Sequence, residues 1–123
     1  MPEDEDNLTI NDVILICKNA KLESIENRTF NSFNTKTTDF IKKYGLSREN
    51  IAKIINGLTK DDYHSGPLQD YNPNNKHPLW VFIKEIAIIN VRIMIYVKIK
   101  IINHRRKIII YSLHEEGLHD EKK

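Results

Sequence analysis

The sequence predicts an α+β domain in which N-terminal helices pack on one face of a small antiparallel β-sheet. Apolar residues recur at helical spacing in segments 10–20 and 48–56, and a third helix is expected over 35–44, where Gly45 ends it. The run from Val91 to Ile101 instead alternates apolar and polar residues, which is typical of a strand with one buried face. Because the helical segments precede the strand segments, the α+β class is favoured over an alternating α/β fold.

Capping residues support two of the helices. Thr9, followed by Asp12, resembles a helix N-cap before segment 10–20, with Asp in place of the usual Glu. Ser47 is placed to cap segment 48–56. Segment 21–34 mixes β-type residues with turn-forming Asn and Ser, and it predicts no definite element.

The 123 residues correspond to one domain. Segment 64–78 is rich in Gly, Pro, Asn and Ser, and it is expected to form one exposed loop of functional interest. The expected parts are an acidic, disordered leader (1–7), a helical part (8–58), the loop (64–78), the antiparallel sheet (79–114) and a charged tail (115–123).

Positive charge is concentrated in the second half of the chain. Between Lys76 and Tyr111 there are eight Lys or Arg residues and one acidic residue, Glu85, although the net charge of the chain is only +2. Such a surface suits an anionic partner such as nucleic acid. Alternatively, the basic residues only keep exposed strand faces soluble.

The remaining composition indicates a soluble cytoplasmic protein. Cys17 is the single cysteine and cannot form an internal disulfide, which fits a reducing compartment. No secretory leader is recognised, and the apolar stretch 86–102 is interrupted by charged residues, so no membrane association is expected. The five histidines lack zinc spacing and the four glycines form no phosphate loop, so neither a metal nor a small-molecule cofactor is expected.

Strand alternation places Tyr96, Lys98 and Lys100 on the face opposite the apolar residues, together with Arg92. Whether His114 joins them depends on the hairpin register, because a slip of one residue moves every side chain to the other face. A loop of His104–Arg106 is expected. It gives the pairs Tyr96–His114, Lys98–Ser112 and Lys100–Ile110 on this face, and Ile99–Tyr111 and Ile101–Ile109 on the buried face. A loop of two or four residues would turn His114 toward the core.

Such a face has the groups needed to cleave RNA without a metal. A base removes the proton of a ribose 2′-hydroxyl, cations stabilise the charge that gathers on the phosphoryl oxygens, and an acid protonates the leaving oxygen. Histidine suits the acid or base role, lysines the electrostatic role, and tyrosine can stack on a base or orient a proton. The alternative is an ordinary solvent-facing strand with Lys and Tyr at β positions.

Four motifs in order resemble one protein family. They are GLTKDDYHSGPLQD (57–70), LWVFIKEI (79–86), IYVKIKI (95–101) and IIIYSLHEE (108–116). This series resembles the MqsR family of toxin–antitoxin toxins over roughly residues 40–116. The resemblance implies a RelE-like fold and an mRNA endoribonuclease that arrests growth and is neutralised by a cognate antitoxin protein.

The resemblance also implies which residues act. The family's tyrosine falls on Tyr96 and its basic tail residue on His114, whereas its loop lysine falls at Ser65 and its glutamine at Val81. Lys84 is proposed to supply the missing charge. The predicted catalytic residues are therefore His114, Tyr96 and Lys84, and the predicted RNA-binding residues are Lys98, Lys100, Arg92, Tyr63 and Ser65.

Two other functions remain open from the sequence. One is a non-catalytic module that binds RNA or an antitoxin with the same fold. The other is a structural partner domain whose basic face is incidental.

Overall fold

The computed structural model describes residues 8–27, 35–69, 77–102 and 106–116. The acidic leader, part of the predicted 64–78 loop and most of the charged tail lie outside the described residues. The three predicted helices are confirmed. They are α1 (Ile10–Asn19), α2 (Thr35–Tyr44) and α3 (Arg48–Asn56). None of the helices in these ranges is long and apolar enough to cross a membrane.

The caps form as the sequence predicts. The Thr9 hydroxyl accepts a hydrogen bond from the Asp12 backbone N–H at 3.2 Å, and the Asp12 carboxylate accepts one from the Thr9 N–H at 2.9 Å. Asp at the third helical position therefore closes a capping box, and these bonds hold the pKa of Asp12 below its usual value. Ser47 and Asn50 form the same reciprocal pair at the start of α3.

The sheet has five strands in the order β1-β5-β4-β3-β2. Their bounds are β1 (Ile25–Asn27), β2 (Tyr63–Leu68), β3 (Leu79–Ile88), β4 (Val91–Ile102) and β5 (Lys107–Glu115). All neighbouring pairs are antiparallel except β1 and β5, which are parallel. The predicted α+β class with N-terminal helices and a mainly antiparallel sheet is confirmed.

Two strands occupy segments that the sequence did not assign to the sheet. The expectation of one loop over 64–78 is wrong for its first part, because Tyr63–Leu68 pairs with β3 as an edge strand. Its register shifts twice, and its Gly and Pro residues are tolerated because an edge strand needs hydrogen bonds on one side only. Strand β1 arises in the ambiguous segment 21–34, where three residues complete the other edge.

The helices cover the apolar face of the sheet. Ile95, Val97, Ile99 and Ile101 of β4 are buried, as predicted, in one cluster with residues of all three helices, among them Val13, Cys17, Phe40, Ile51 and Ile55. Burying the apolar face of the sheet against the apolar stripes of the helices is the main source of stability in such a domain. The opposite face carries a mixture of polar and apolar side chains.

The register of the β4–β5 hairpin differs from the predicted one. Ile102 pairs with Lys107, so the link contains four residues, 103–106, and Lys100 pairs with Ile109 rather than with Ile110. A β-bulge then follows, because Ile99 pairs with Ile110 while Lys98 pairs with Ser112, which leaves Tyr111 as an extra residue in β5. The four-residue link and the bulge shift the register in opposite senses, and the predicted pairs Tyr96–His114 and Lys98–Ser112 are restored.

The β3–β4 hairpin turns through Ile89 and Asn90, whose φ angles are 47° and 66°. Two positive φ angles define a type I′ turn, in which Asn or Gly is favoured and a β-branched residue is strained. Ile89 is 79% exposed, so little packing offsets the strain.

Replacing Ile89 with Asn is expected to stabilise the domain by about 1 kcal/mol, because Asn adopts positive φ more readily than a β-branched residue. Urea unfolding of the two proteins measures the difference. Val91→Asn is the matched control. Val91 is also exposed but lies in extended backbone, where Asn is disfavoured, so this variant should be no more stable than the parent. Equal stabilisation by both substitutions would contradict the strain assigned to Ile89.

Candidate functional site

The sheet face that points away from the helices, hereafter the outer face, carries alternate residues of the three central strands. The described residues on it include Leu79, Val81, Ile83, Glu85, Arg92, Met94, Tyr96, Lys98, Lys100, Ile109, Ser112 and His114. The structure therefore brings Tyr96, Lys98, Lys100 and His114 to one face. These four side chains differ in exposure: Tyr96 and Lys98 are half-buried, whereas Lys100 and His114 are only 3% and 4% exposed.

Tyr96 and His114 form a stacked pair across β4 and β5. Their ring centroids are 5.2 Å apart and the ring planes differ by 13°. The pair lies directly opposite in the strand register, where Cβ atoms of facing residues are close enough for two rings to stack. The phenol and the imidazole are thus held together by the sheet.

The tautomer of the His114 imidazole is set by a hydrogen bond to the backbone of its own strand. Its Nδ1 lies 2.9 Å from the backbone carbonyl oxygen of Glu115. A carbonyl oxygen only accepts hydrogen bonds, so Nδ1 is the nitrogen that donates. In the neutral ring the lone pair is then on Nε2, which is the atom able to take up a proton.

Burial raises the pKa of the Tyr96 hydroxyl above its ordinary value. A phenol is protonated at neutral pH at its ordinary pKa, and burial favours this form further. It is suited to donate a hydrogen bond or a proton, and it is not suited to act as a base.

Lys98 lies in the row of the sheet next to this pair. It pairs with Ser112 on one side and with Val81 on the other, and Val81 in turn pairs with Ser65 of β2. The row Ser65–Val81–Lys98–Ser112 thus crosses four strands. It places an ammonium group beside the two positions where the resemblance puts a lysine and a glutamine.

Lys100 is held against Tyr111. Its ammonium lies 5.1 Å from the centre of the Tyr111 ring, within the range of a cation–π contact. The sequence analysis placed Tyr111 on the buried face opposite Ile99, and this was wrong because of the bulge. The spacing of apolar residues indicates the bulge, because the core-facing residues of β5, Ile108, Ile110 and Leu113, are two and then three positions apart.

Ser65 lies on edge strand β2, next to Gly66. The Ser65 hydroxyl is 3.1 Å from Nδ1 of exposed His64. Gly66 has a φ of 130°, and a Cβ there would come within 2.8 Å of the Leu79 carbonyl oxygen. Close contact between Gly66 and β3 is therefore part of what positions Ser65.

Tyr63 lies on the other side of the sheet. It pairs with Phe82, its ring centroid is 6.4 Å from those of both Trp80 and Phe82, and its hydroxyl donates to the Gly66 carbonyl oxygen. It is 38% exposed at the edge of the sheet. Tyr63 is therefore separated from the Tyr96–His114 pair by the sheet itself.

Lys84, predicted as a catalytic residue that supplies the missing charge, points to the helix side. It pairs with buried Ile95, its ammonium donates to the Gly57 carbonyl oxygen at 2.9 Å, and it lies 3.4 Å from the Asp62 carboxylate. The structure therefore does not bring Lys84 to the face that carries Tyr96 and His114. The cause is strand parity, because Ile83 is the residue opposite Tyr96.

Arg92 lies on the outer face near the β3–β4 turn. It is exposed, and its guanidinium is 3.8 Å from the Glu85 carboxylate, an exposed pair that contributes little to stability. It lies four positions before Tyr96 along the extended strand, a distance of about 13 Å. In the described ranges, no group of three or more His, Cys, Asp or Glu side chains is placed to hold a metal ion.

Fold and face together define an α+β domain with a cationic sheet face that carries a tyrosine–histidine pair. Over residues 18–115 the sequence matches the family described as motility quorum-sensing regulator, toxin of MqsA. The chain belongs to this MqsR toxin family, as the resemblance predicted. It is accordingly the toxin of a toxin–antitoxin pair, and its partner is a cognate antitoxin. Comparisons with curated proteins and with solved structures gave no match.

Substituting Gly66 with Ala is expected to destabilise the domain by about 2–3 kcal/mol, because φ is unfavourable and the methyl group meets the β3 backbone. Gly45→Ala is the matched control. Gly45 also has a positive φ, 60°, but nothing lies within 4 Å of an added Cβ, so only about 1 kcal/mol is expected. Both values follow from urea unfolding, and equal losses would show that contact with β3 is unimportant.

Proposed function

We propose that the chain is a metal-independent endoribonuclease that cleaves single-stranded mRNA and thereby arrests growth. The observation that carries the proposal is the stacked Tyr96–His114 pair, which shares one sheet face with Lys98 and Lys100. An acid–base group, a protonated phenol and cations are the groups needed for attack of a ribose 2′-hydroxyl on the adjacent phosphorus.

In this proposal His114 takes the proton of the 2′-hydroxyl at Nε2. The hydrogen bond from Nδ1 to the Glu115 carbonyl oxygen keeps the imidazole in the tautomer that can do so. The 2′-oxygen forms a bond to phosphorus and the bond to the 5′-oxygen breaks, which leaves a 2′,3′-cyclic phosphate. Tyr96, which is protonated at neutral pH, donates its proton to the leaving 5′-oxygen. The phenol regains a proton from solvent, and the His114 imidazolium returns its proton to solvent, which completes the cycle.

The cations have different parts in the proposal. Lys98 is half-buried and lies one row from the pair, so it stabilises the charge on the phosphoryl oxygens. Lys100, buried against Tyr111 on the same face, adds to the positive potential there. Arg92 contacts phosphates further along the strand, and Ser65 and the exposed edge of Tyr63 contact RNA that passes the β2 edge.

Purified protein is expected to cleave single-stranded RNA in EDTA and to leave a cyclic phosphate or its hydrolysed form at the new 3′ end. His114→Gln removes the titrating group while it keeps a side chain of similar length, and it should lower kcat about 10²- to 10⁴-fold. Thermal unfolding of the variant checks that the fold is retained. Full activity in the folded His114→Gln protein would refute the assigned role.

Lys98→Ala is expected to reduce the salt dependence of RNA binding. Each phosphate contact with single-stranded nucleic acid contributes about 0.7 to the slope of log K against log salt, so the slope should fall by about that amount. Lys53→Ala, which removes an exposed lysine on α3 behind the sheet, is the matched control and should leave the slope unchanged. Filter binding at several salt concentrations gives both slopes.

A non-catalytic module that binds RNA or the antitoxin is the second candidate. It is favoured by the 4% exposure of His114 and by Ser65 and Val81, which stand where the resemblance places a lysine and a glutamine. Binding of RNA without cleavage at any protein concentration would support this function over the first.

A further inference from the structure

Helix α2 contacts β5 on both sides of His114. Before it, the Leu113 backbone N–H donates to the hydroxyl of Thr37 at 2.9 Å, and Thr37 is fully buried. After it, the hydroxyl of Tyr44 donates to the Glu115 carboxylate at 3.2 Å. Two side chains from opposite ends of one helix therefore hold the residues that flank His114.

These contacts lie on the edge of β5 that faces away from β4. Among the described residues, β1 pairs with Ile108–Ile110 on this edge, and the Leu113 N–H lies beyond the last of these pairs. Buried backbone donors require an acceptor, and the Thr37 hydroxyl takes the place of a strand carbonyl. Near the histidine, the backbone of β5 is thus held by the β4 ladder on one edge and by the Thr37 side chain on the other.

Glu115 is the residue whose backbone orients the imidazole. Its carbonyl oxygen accepts the His114 Nδ1–H, while its carboxylate is held by Tyr44 and by Lys43, whose ammonium lies 3.3 Å away. The same hydrogen bond raises the pKa of Lys43. Movement of Glu115 relative to α2 would therefore shift the acceptor that selects the tautomer of His114.

We propose that α2 is a positioning element for His114, with Thr37 and Tyr44 as its positioning residues. Thr37 fixes the backbone before the histidine, and Tyr44 fixes the residue whose carbonyl receives the Nδ1 proton. Together they keep the imidazole in the tautomer whose lone pair is on Nε2. The inference rests on the proposed role of His114 in proton transfer, but the imidazole geometry can be measured without RNA.

The main test is Thr37→Val, which exchanges the hydroxyl for a methyl group of similar size. We expect kcat to fall about 10- to 100-fold with KM within twofold, since small displacements of a catalytic group have effects of that order. Thr37→Ser keeps the hydroxyl and should restore at least half of the parent kcat. Tyr44→Phe should change kcat in the same direction as Thr37→Val and by a smaller factor.

Nitrogen-15 NMR of the histidine rings gives a readout that loss of stability alone does not produce. In the parent, His114 should be the Nδ1–H tautomer, and in folded Thr37→Val its signals should move toward a mixture of tautomers. Thr9→Val is the matched control, because it removes a helix cap distant from β5 and should leave both kcat and the His114 tautomer unchanged.

An unchanged His114 tautomer together with an unchanged kcat in Thr37→Val would overturn the inference. So would equal losses of kcat in Thr37→Val and Thr9→Val. If the parent protein cleaves no RNA, the proposed function fails, and the tautomer shift alone then decides whether α2 positions the imidazole.

Discussion

The extra residue of β5 at Tyr111 determines which side chains share the outer face. Without it, the four-residue link between β4 and β5 would bring Leu113 rather than His114 opposite Tyr96. The bulge reverses the parity after Ile110, so that Ile108 and Ile110 remain in the core while His114 is turned away from it. Bulges are frequent beside functional sites because they re-aim a side chain at a small structural cost.

Much of the fold follows from local signals in the sequence. The helices begin at Thr9 and Ser47 because these side chains accept from backbone donors that no helical carbonyl reaches. The apolar residues of β4 alternate because one face of the strand is buried. Strand β2 was not predicted, since an edge strand that contains Gly66 and Pro67 has the composition of a loop. Only its pairing with β3 shows that this segment is a strand and not a loop.

Such local signals predict only part of the site. Alternation along β4 places Tyr96 and Lys98 on one face, but the partner of each depends on a link and a bulge whose shifts compensate. The pairing of Tyr96 with His114 was therefore predicted correctly, but the predicted length of the link was wrong and the bulge was not predicted. The motif of β3 suggested Lys84 as a source of charge, but strand parity turns this side chain to the helix side, away from Tyr96. The role of Thr37 depends on a contact between residues 76 positions apart in the chain, and local periodicity carries no information about it.

The cations of the outer face differ in what they can do for an anionic partner. Burial of an ammonium group is costly unless other contacts compensate, and for Lys100 the Tyr111 ring supplies one such contact. A buried cation acts on a phosphate through its field, which is stronger where water is excluded. Lys98 and Arg92 retain exposure and can contact phosphates directly. In the proposed function, the salt dependence of RNA affinity comes from Lys98 and Arg92. The ammonium of Lys100 adds to the electrostatic potential at Tyr96 and His114, where protons are transferred to and from the RNA.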